Sequence, residues 1–280
     1  MLERAAPAKI NLGLHVLRKR DDGYHAIETV MHRIGWADRI TVAPADALTM
    51  TCSDPTLPTD ADNLCLQAAQ RLQAAFEVEQ GARLHLDKHV PYGAGLGSGS
   101  SDAATTLQLL DALWGLDAAP EALHAIAAQV GSDAPFFLDG SAALATGRGD
   151  ELSSLRDAAG APYAMPFALV VVVPDVHIAT PEAYGLVRPR AGGRPDLAEV
   201  VRSNDLARWR AELANDFEAP IAEAYPAVGA VREVLDTAGA GYVALSGSGS
   251  AVYGVFEQAR AARAAEEVAQ AAGYRVHRDA

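Results

Sequence analysis

The chain has few cysteines, few lysines and no long apolar run, and each scarcity narrows what it does. Its 280 residues include two cysteines, Cys52 and Cys65, with no C-x-x-C spacing. That argues against a disulfide scaffold or a structural zinc site and fits a reducing, cytoplasmic setting. No apolar stretch is long enough to span a bilayer, and the opening MLERAAPAKINLGL has no apolar signal core, so no membrane association is expected. Lys plus Arg is 23 against 36 Asp plus Glu, a net charge of −13. A nucleic-acid surface depends on clustered cations and is not expected here. Lysine occurs only at 9, 19 and 88; arginine supplies every other cation. Half of the residues are hydrophobic, enough for one large domain or two lobes.

What is present is organised around PYGAGLGSGSSDAA at 91–104. Leu84, Leu86 and Val90 share one face at period two, a strand entering the loop. Ala103, Leu107, Leu110 and Trp114 recur at helical spacing after it. Strand, glycine-rich loop and helix together suit an anion: glycines let N–H groups turn inward, and a helix start adds unpaired N–H groups and a positive dipole end. The loop is not a Walker A sequence, because no lysine follows Gly99. It also fails G-x-G-x-x-G, since Ser98 and Ser100 stand where a third glycine belongs, and no serine has the spacing of a hydrolase elbow. A flexible capped turn is the plainer alternative.

Upstream, Ile10, Leu12, Leu14 and Val16 alternate with Lys9, Asn11 and His15, which reads as a strand over 8–16. Lys9 is a point charge where this chain prefers arginine, or else an edge lysine in solvent. Asp21 to His25 is a turn that places Tyr24 and His25 side by side, either as a ligand platform or as a half-buried aromatic and a surface histidine. Strands follow over 27–34, 39–42 and 48–52, then a helix to Phe76 with Asp62 as its N-cap. A helix over 119–130 precedes GSDAPFF at 131–137, where Asp133 either caps a short helix or presents a carboxylate to a cleft. Strands are expected over 141–146, 168–174, 242–245, 251–256 and 274–277, and helices from Thr180, over 206–219, 221–238 and 258–272. Pro181 fits the first position of its helix. The Gly/Ser loop at 246–250 is either a hairpin turn or a second close backbone approach. A second lobe starts near Met165, dividing the chain into 1–164 and 165–280.

PAKINLGL at 7–14, PYGAGLGSGSSDAA at 91–104 and LSGSGSAVYG at 245–254 resemble, in that order, the three motifs of the GHMP kinases. DGYH at 22–25, DNL at 62–64 and GSDAPFF are similar to the branch that phosphorylates a cytidylyl ester of methylerythritol in the non-mevalonate route to isoprenoid precursors. The resemblance implies an α+β, two-lobe fold, its N-terminal lobe like ribosomal S5 domain 2 and its C-terminal lobe ferredoxin-like. It implies transfer of the γ-phosphoryl of ATP to a tertiary hydroxyl, with Asp133 as general base and Lys9 as its electrostatic partner. Asn63 would lie beside the adenine. Pro91, Gly93, Ala94, Gly95, Leu96, Gly97, Ser98, Gly99, Ser100 and Ser101 would cradle the phosphates. Asn11, Tyr24, His25 and Tyr184 would bind the small-molecule cytidylyl substrate, Tyr184 standing where the family often has Phe. Phosphoryl transfer needs alignment and cancellation of charge more than covalent help, which suits such a set. Mg²⁺ is expected with ATP; Ser100 or Ser101 is a candidate ligand, and no acidic ligand is evident. The chain is expected to work as a monomer or homodimer. The alternatives are a homoserine- or mevalonate-type GHMP kinase, which has no base to sandwich, and a non-catalytic nucleotide- or RNA-binding module, which has no need of both Lys9 and Asp133.

Overall fold

A computed structural model describes residues 1–140 and 142–279. Contacts gather them into two compact units. The first comprises Met1–Ala8, Trp36–Tyr92 and Gly97–Gly140; the second comprises Lys9–Gly35, Gly93–Leu96 and the described part of Ser141–Ala280. Two long strands, β1 (Leu2–Lys19) and β2 (His25–Ala45), pass through both. The segments read as separate strands over 27–34 and 39–42 are one strand. Gly35 does not break it; its N–H is held by Asp279 at 2.7 Å.

In the first unit, β3 (Thr49–Cys52) pairs parallel with β4 (Gly81–Asp87), and β4 pairs antiparallel with β2 from Arg39↔Asp87 to Ala45↔Gly81. Alternation puts Ile40, Val42, Leu84 and Leu86 into one core with α1 (Leu64–Phe76). The cap of α1 is Asn63 rather than Asp62: its Oδ1 accepts from the Cys65 N–H at 2.9 Å. Adjacent Asp and Asn are chemically equivalent caps, so the sequence leaves the register open by one residue. α2 (Ser98–Trp114) buries Ala103, Ala104, Leu107 and Leu110 and stops at Gly115 in the left-handed region. α3 (Pro120–Val130) starts on its proline, and α4 (Ala134–Leu138) buries Phe136 and Phe137.

In the second unit, β5 (Ala142–Thr146) pairs with β2, Thr29↔Ala145 to His32↔Ala142, and with β6 (Glu151–Ser154). Ser141, the expected first residue of β5, lies outside the described residues. β7 (Ala168–Val173) is buried at all six positions, as its unbroken apolar run predicts. α5 (Thr180–Leu186) and α6 (Leu197–Arg202) follow. The helix expected over 206–219 is broken. α7 (Leu206–Glu212) ends where Ala214 and Asp216 turn their backbone to Leu14 of β1, with Leu14 N–H to Ala214 O and Asp216 N–H to Leu14 O both at 2.9 Å. α8 (Glu218–Ala224) and α9 (Pro226–Thr237) divide at Pro226, which cannot continue a helix begun before it. β8 (Tyr242–Leu245), β9 (Val252–Phe256), α10 (Ala259–Ala271) and β10 (Arg275–Asp279) complete the chain. The last sheet runs β10–β7–β9–β8, every pair antiparallel. With helices after β7 and after β9, this is the split β-α-β arrangement of a ferredoxin-like lobe. Its core joins Val170 and Val172 to Phe217, Ile221, Val231, Leu235, Ala262 and Ala265.

Candidate active site

Lys9 is not an edge lysine in solvent. It is 4% exposed, and its Nζ donates to Asn11 Oδ1 at 2.6 Å and to the Gly95 carbonyl at 3.1 Å. Period two brings Lys9 and Asn11 to the same face of β1. Asn11 Nδ2 donates to Thr29 Oγ1 at 3.0 Å, and that hydroxyl donates to the Gly13 carbonyl at 2.6 Å. The ammonium is therefore held at the end of a relay anchored on the strand backbone.

Gly95 explains the second Gly/Ser loop. A Cβ at Gly95 would lie 2.1 Å from the Ser246 carbonyl oxygen. Ser246 Oγ donates to Gly95 O at 2.9 Å, and Ala251 N–H donates to Ala94 O at 3.0 Å. The 246–250 loop is thus a backbone partner of the first glycine loop. Asn215 supports it, donating to the carbonyls of Leu245 and Gly247, both at 2.8 Å. His177 packs where a Cβ of Gly93 would be. Thr29, His177 and Asn215 are invisible to a motif reading, because each acts through residues distant in sequence.

The aromatic residues of the second unit come together in part. The rings of His25 and Tyr184 stack at 4.6 Å and 16°, and Tyr184 meets buried Phe217 at right angles, 4.9 Å away. Burial and the Lys19 charge lower the pKa of His25, which disfavours its charged form. Tyr24 is exposed, in contrast to the half-buried aromatic of its plainer reading; the Arg148 guanidinium lies 5.2 Å from its ring.

In the first unit, α2 begins at Gly97, which has φ 66° and no side-chain cap. The first turn therefore keeps the N–H groups and dipole end that an anion needs. Ser101 is fully buried and its Oγ has no hydrogen-bond partner among the described residues. Beside this turn is a cavity of about 230 Å³, walled by Leu57, Pro58, Leu64, Leu86 and Tyr92 and reaching Asn63, Lys88, Gly99 and Asp102. Asn63 shapes it: besides capping α1, its Nδ2 holds the Pro58 carbonyl at 2.8 Å. Lys88 Nζ is clamped between Asp38 Oδ2 at 2.6 Å and Asp102 Oδ2 at 2.8 Å. Burial would depress the Lys88 ammonium, but the two carboxylates reverse this and raise it. Burial pushes the Asp102 carboxyl up to about 7; Lys88 opposes that and Asp38 adds to it. Asp133 occupies the cap position of α4 but makes no side-chain capping bond, so the helix-cap reading does not account for its carboxylate. Among the described residues, no group of three His, Cys, Asp or Glu side chains is placed to hold a metal.

The model of the GHMP kinases N terminal domain matches residues 63–141, and that of the GHMP kinases C terminal region matches 197–275. The chain belongs to the GHMP kinases. It is similar to the 4-diphosphocytidyl-2-C-methyl-D-erythritol kinase of Salinibacter ruber, 60% identical over 99% of this chain and 97% of the relative. A crystal structure of 4-(cytidine 5'-diphospho)-2C-methyl-D-erythritol kinase superposes with a TM-score of 0.82 at 36% identity, covering 99% of this chain and 98% of the other. Homoserine kinase from Cytophaga hutchinsonii shares the fold, with a TM-score of 0.74 at 17% identity over 99% and 92% of the two chains. As a GHMP kinase, the chain is a small-molecule kinase, and the family implies ATP as its phosphoryl donor. No helix among the described residues is long and apolar enough to cross a membrane.

Proposed function

We propose that this kinase transfers the γ-phosphoryl of ATP to the tertiary hydroxyl of diphosphocytidyl-methylerythritol, in the non-mevalonate route to isoprenoid precursors. The observation that carries the substrate class is His25 stacked on Tyr184, next in sequence to exposed Tyr24. A pyrimidine needs a flat face to stack on and a polar edge reader, whereas homoserine and mevalonate have no ring to offer. His25 covers one face of Tyr184, so a base stacking on that ring uses the other face or displaces the imidazole.

Asp133 would accept the hydroxyl proton as general base. Lys9, preoriented by Asn11 and Thr29, would offset phosphoryl charge, and the first turn of α2 would receive phosphate oxygens. Mg²⁺ would arrive on the nucleotide, where the partnerless Ser101 hydroxyl is chemically suited to it; the ion supplies charge neutralisation. The boundary between lobes is placed near residue 165, the working form is monomer or homodimer, the setting is cytoplasmic, and nucleic acid is not a ligand. The test is phosphoryl transfer from ATP to the cytidylyl ester, mevalonate and homoserine, assayed side by side. Turnover of the ester alone is expected; faster turnover of either rival acceptor would overturn the assignment.

A further inference from the structure

The polar chain behind Lys9 has a direction fixed at both ends. The Gly13 carbonyl at one end can only accept, and the Lys9 ammonium at the other can only donate. Between them stand one hydroxyl and one amide. Thr29 Oγ1 donates to Gly13 O at 2.6 Å, Asn11 Nδ2 donates to Thr29 Oγ1 at 3.0 Å, and Asn11 Oδ1 accepts from Lys9 Nζ at 2.6 Å. A threonine hydroxyl has a single proton. With that proton committed to Gly13, the oxygen offers Asn11 a lone pair, and only the NH₂ end of the amide can answer it. The C=O end is then turned to Lys9. A flipped amide would set oxygen against oxygen at Thr29 and N–H against ammonium at Lys9. Thr29 is 0% exposed and Asn11 2%, so both mismatches would be buried and costly.

The surroundings hold this chain in place. Gly13 has φ 74°, and a Cβ there would lie 2.7 Å from Leu197 Cδ2, so its carbonyl is aimed by a conformation suited to glycine. Buried Tyr253 donates its hydroxyl to the Asn11 carbonyl at 2.8 Å, and Lys9 N–H donates to Leu96 O at 3.0 Å. Thr29 is β-branched, which restricts its χ1, and its backbone is paired with Ala145 of β5.

Resting on the reading of Lys9 as the cation that offsets phosphoryl charge, we infer that Thr29 is a positioning residue for phosphoryl transfer: its hydroxyl sets the orientation of the Asn11 amide and, through it, the place of the Lys9 ammonium. Fully buried, Thr29 acts on the reaction only through Asn11. Its loss removes more than one hydrogen bond, because an amide released to flip turns attraction of Lys9 into repulsion. The effect falls on turnover rather than on capture of either substrate, since Lys9 is needed where charge develops.

The test is steady-state kinetics of the full chain with ATP and the cytidylyl ester, each varied in turn. Thr29→Val keeps the shape and removes the hydroxyl; kcat should fall by about 10- to 100-fold, with both KM values largely kept. Thr29→Ser restores the hydroxyl and should recover most of that loss. In an Asn11→Leu background, Thr29→Val should lower kcat no further, because a residue that acts through another has no effect once the other is gone. Unchanged kcat in Thr29→Val, a Thr29→Ser no more active than Thr29→Val, or losses at 11 and 29 that simply multiply would each overturn the inference. If Thr29→Val does not fold, Asn11→Asp decides. It keeps one oxygen for Lys9 but sets a second against Thr29, so kcat should drop at least about tenfold, and full turnover would overturn the inference. Lys9→Met separates the two readings. If it keeps turnover, the role given to Lys9 above fails and this inference fails with it; if it loses turnover while folded Thr29→Val does not, this inference alone fails.

Discussion

Gly95→Ala tests the packing on which Lys9 depends. Gly95 has φ 79°, and a Cβ there would sit 2.1 Å from the Ser246 carbonyl oxygen and 3.1 Å from that of Gly249. Both obstacles are backbone, so no side chain can swing aside. The left-handed conformation costs about 1–2 kcal/mol for an L-residue. Moving the loop far enough to admit the methyl strains three hydrogen bonds: Lys9 Nζ and Ser246 Oγ to Gly95 O, and Ala251 N–H to Ala94 O. At about 1 kcal/mol each, the total is about 4–5 kcal/mol, a large share of the ~5–15 kcal/mol that holds a domain together. Gly160→Ala is the control. Gly160 has φ 83° and nothing within 4 Å of the point where a Cβ would stand, so it should cost only the conformational part. Urea unfolding of the two variants should differ by about 3 kcal/mol, the cost of the three strained bonds, and Gly95→Ala should lose turnover even where it remains folded. Equal stabilities for the two variants would refute the close approach.

Asp133→Asn keeps the shape of the proposed general base and removes its charge; steady-state kinetics should show kcat lower by about 10²–10⁴ with KM for both substrates largely kept. Tyr184→Ala should raise KM for the cytidylyl ester by roughly 10- to 100-fold, the equivalent of one stacked base at ~1–3 kcal/mol, and leave KM for ATP alone; an unchanged ester KM would remove Tyr184 from the substrate site. His15 gives a pH signature. It is 1% exposed, and burial, with the Arg194 and Arg190 charges adding and Asp216 opposing, lowers its pKa from 6.5 to about 4. Below 6.5 the unfolded chain takes up a proton that the native His15 refuses. Stability should therefore fall by about 3 kcal/mol as pH drops from 6.5 to 4, and His15→Leu should lack this component in urea titrations at the two pH values.

The sequence shows local features and hides those made by distant backbone. Alternation places β1 and β4, an unbroken apolar run places β7, and the spacing of Ala103, Leu107 and Leu110 places α2, because period and burial are written in consecutive residues. The break after α7 is hidden because its cause is Leu14, far back along the chain, taking the backbone of 214 and 216. Asn215 is hidden for the same reason: its amide matters only once the Leu245 and Gly247 carbonyls stand beside it. Lys88 offers one clue, as one of only three lysines, but its meaning comes from Asp38 and Asp102, which no spacing connects to it.

The glycine loop shows how one pattern carries two physical demands. Gly97 is required by conformation, since its left-handed φ opens α2 without a side-chain cap and leaves the first-turn N–H groups to an anion. Gly95 is required by proximity, since the Ser246 carbonyl occupies the volume of a Cβ. On the proposed reading the first demand concerns phosphate, and the second concerns where the Lys9 ammonium ends up, because Lys9 donates to the Gly95 carbonyl. A ligand-binding reading of every glycine in the loop therefore overcounts. Substitution at 97 should weaken nucleotide binding first, while substitution at 95 should weaken folding and turnover together, so ATP affinity and urea stability measured on the same pair of variants separate the two roles.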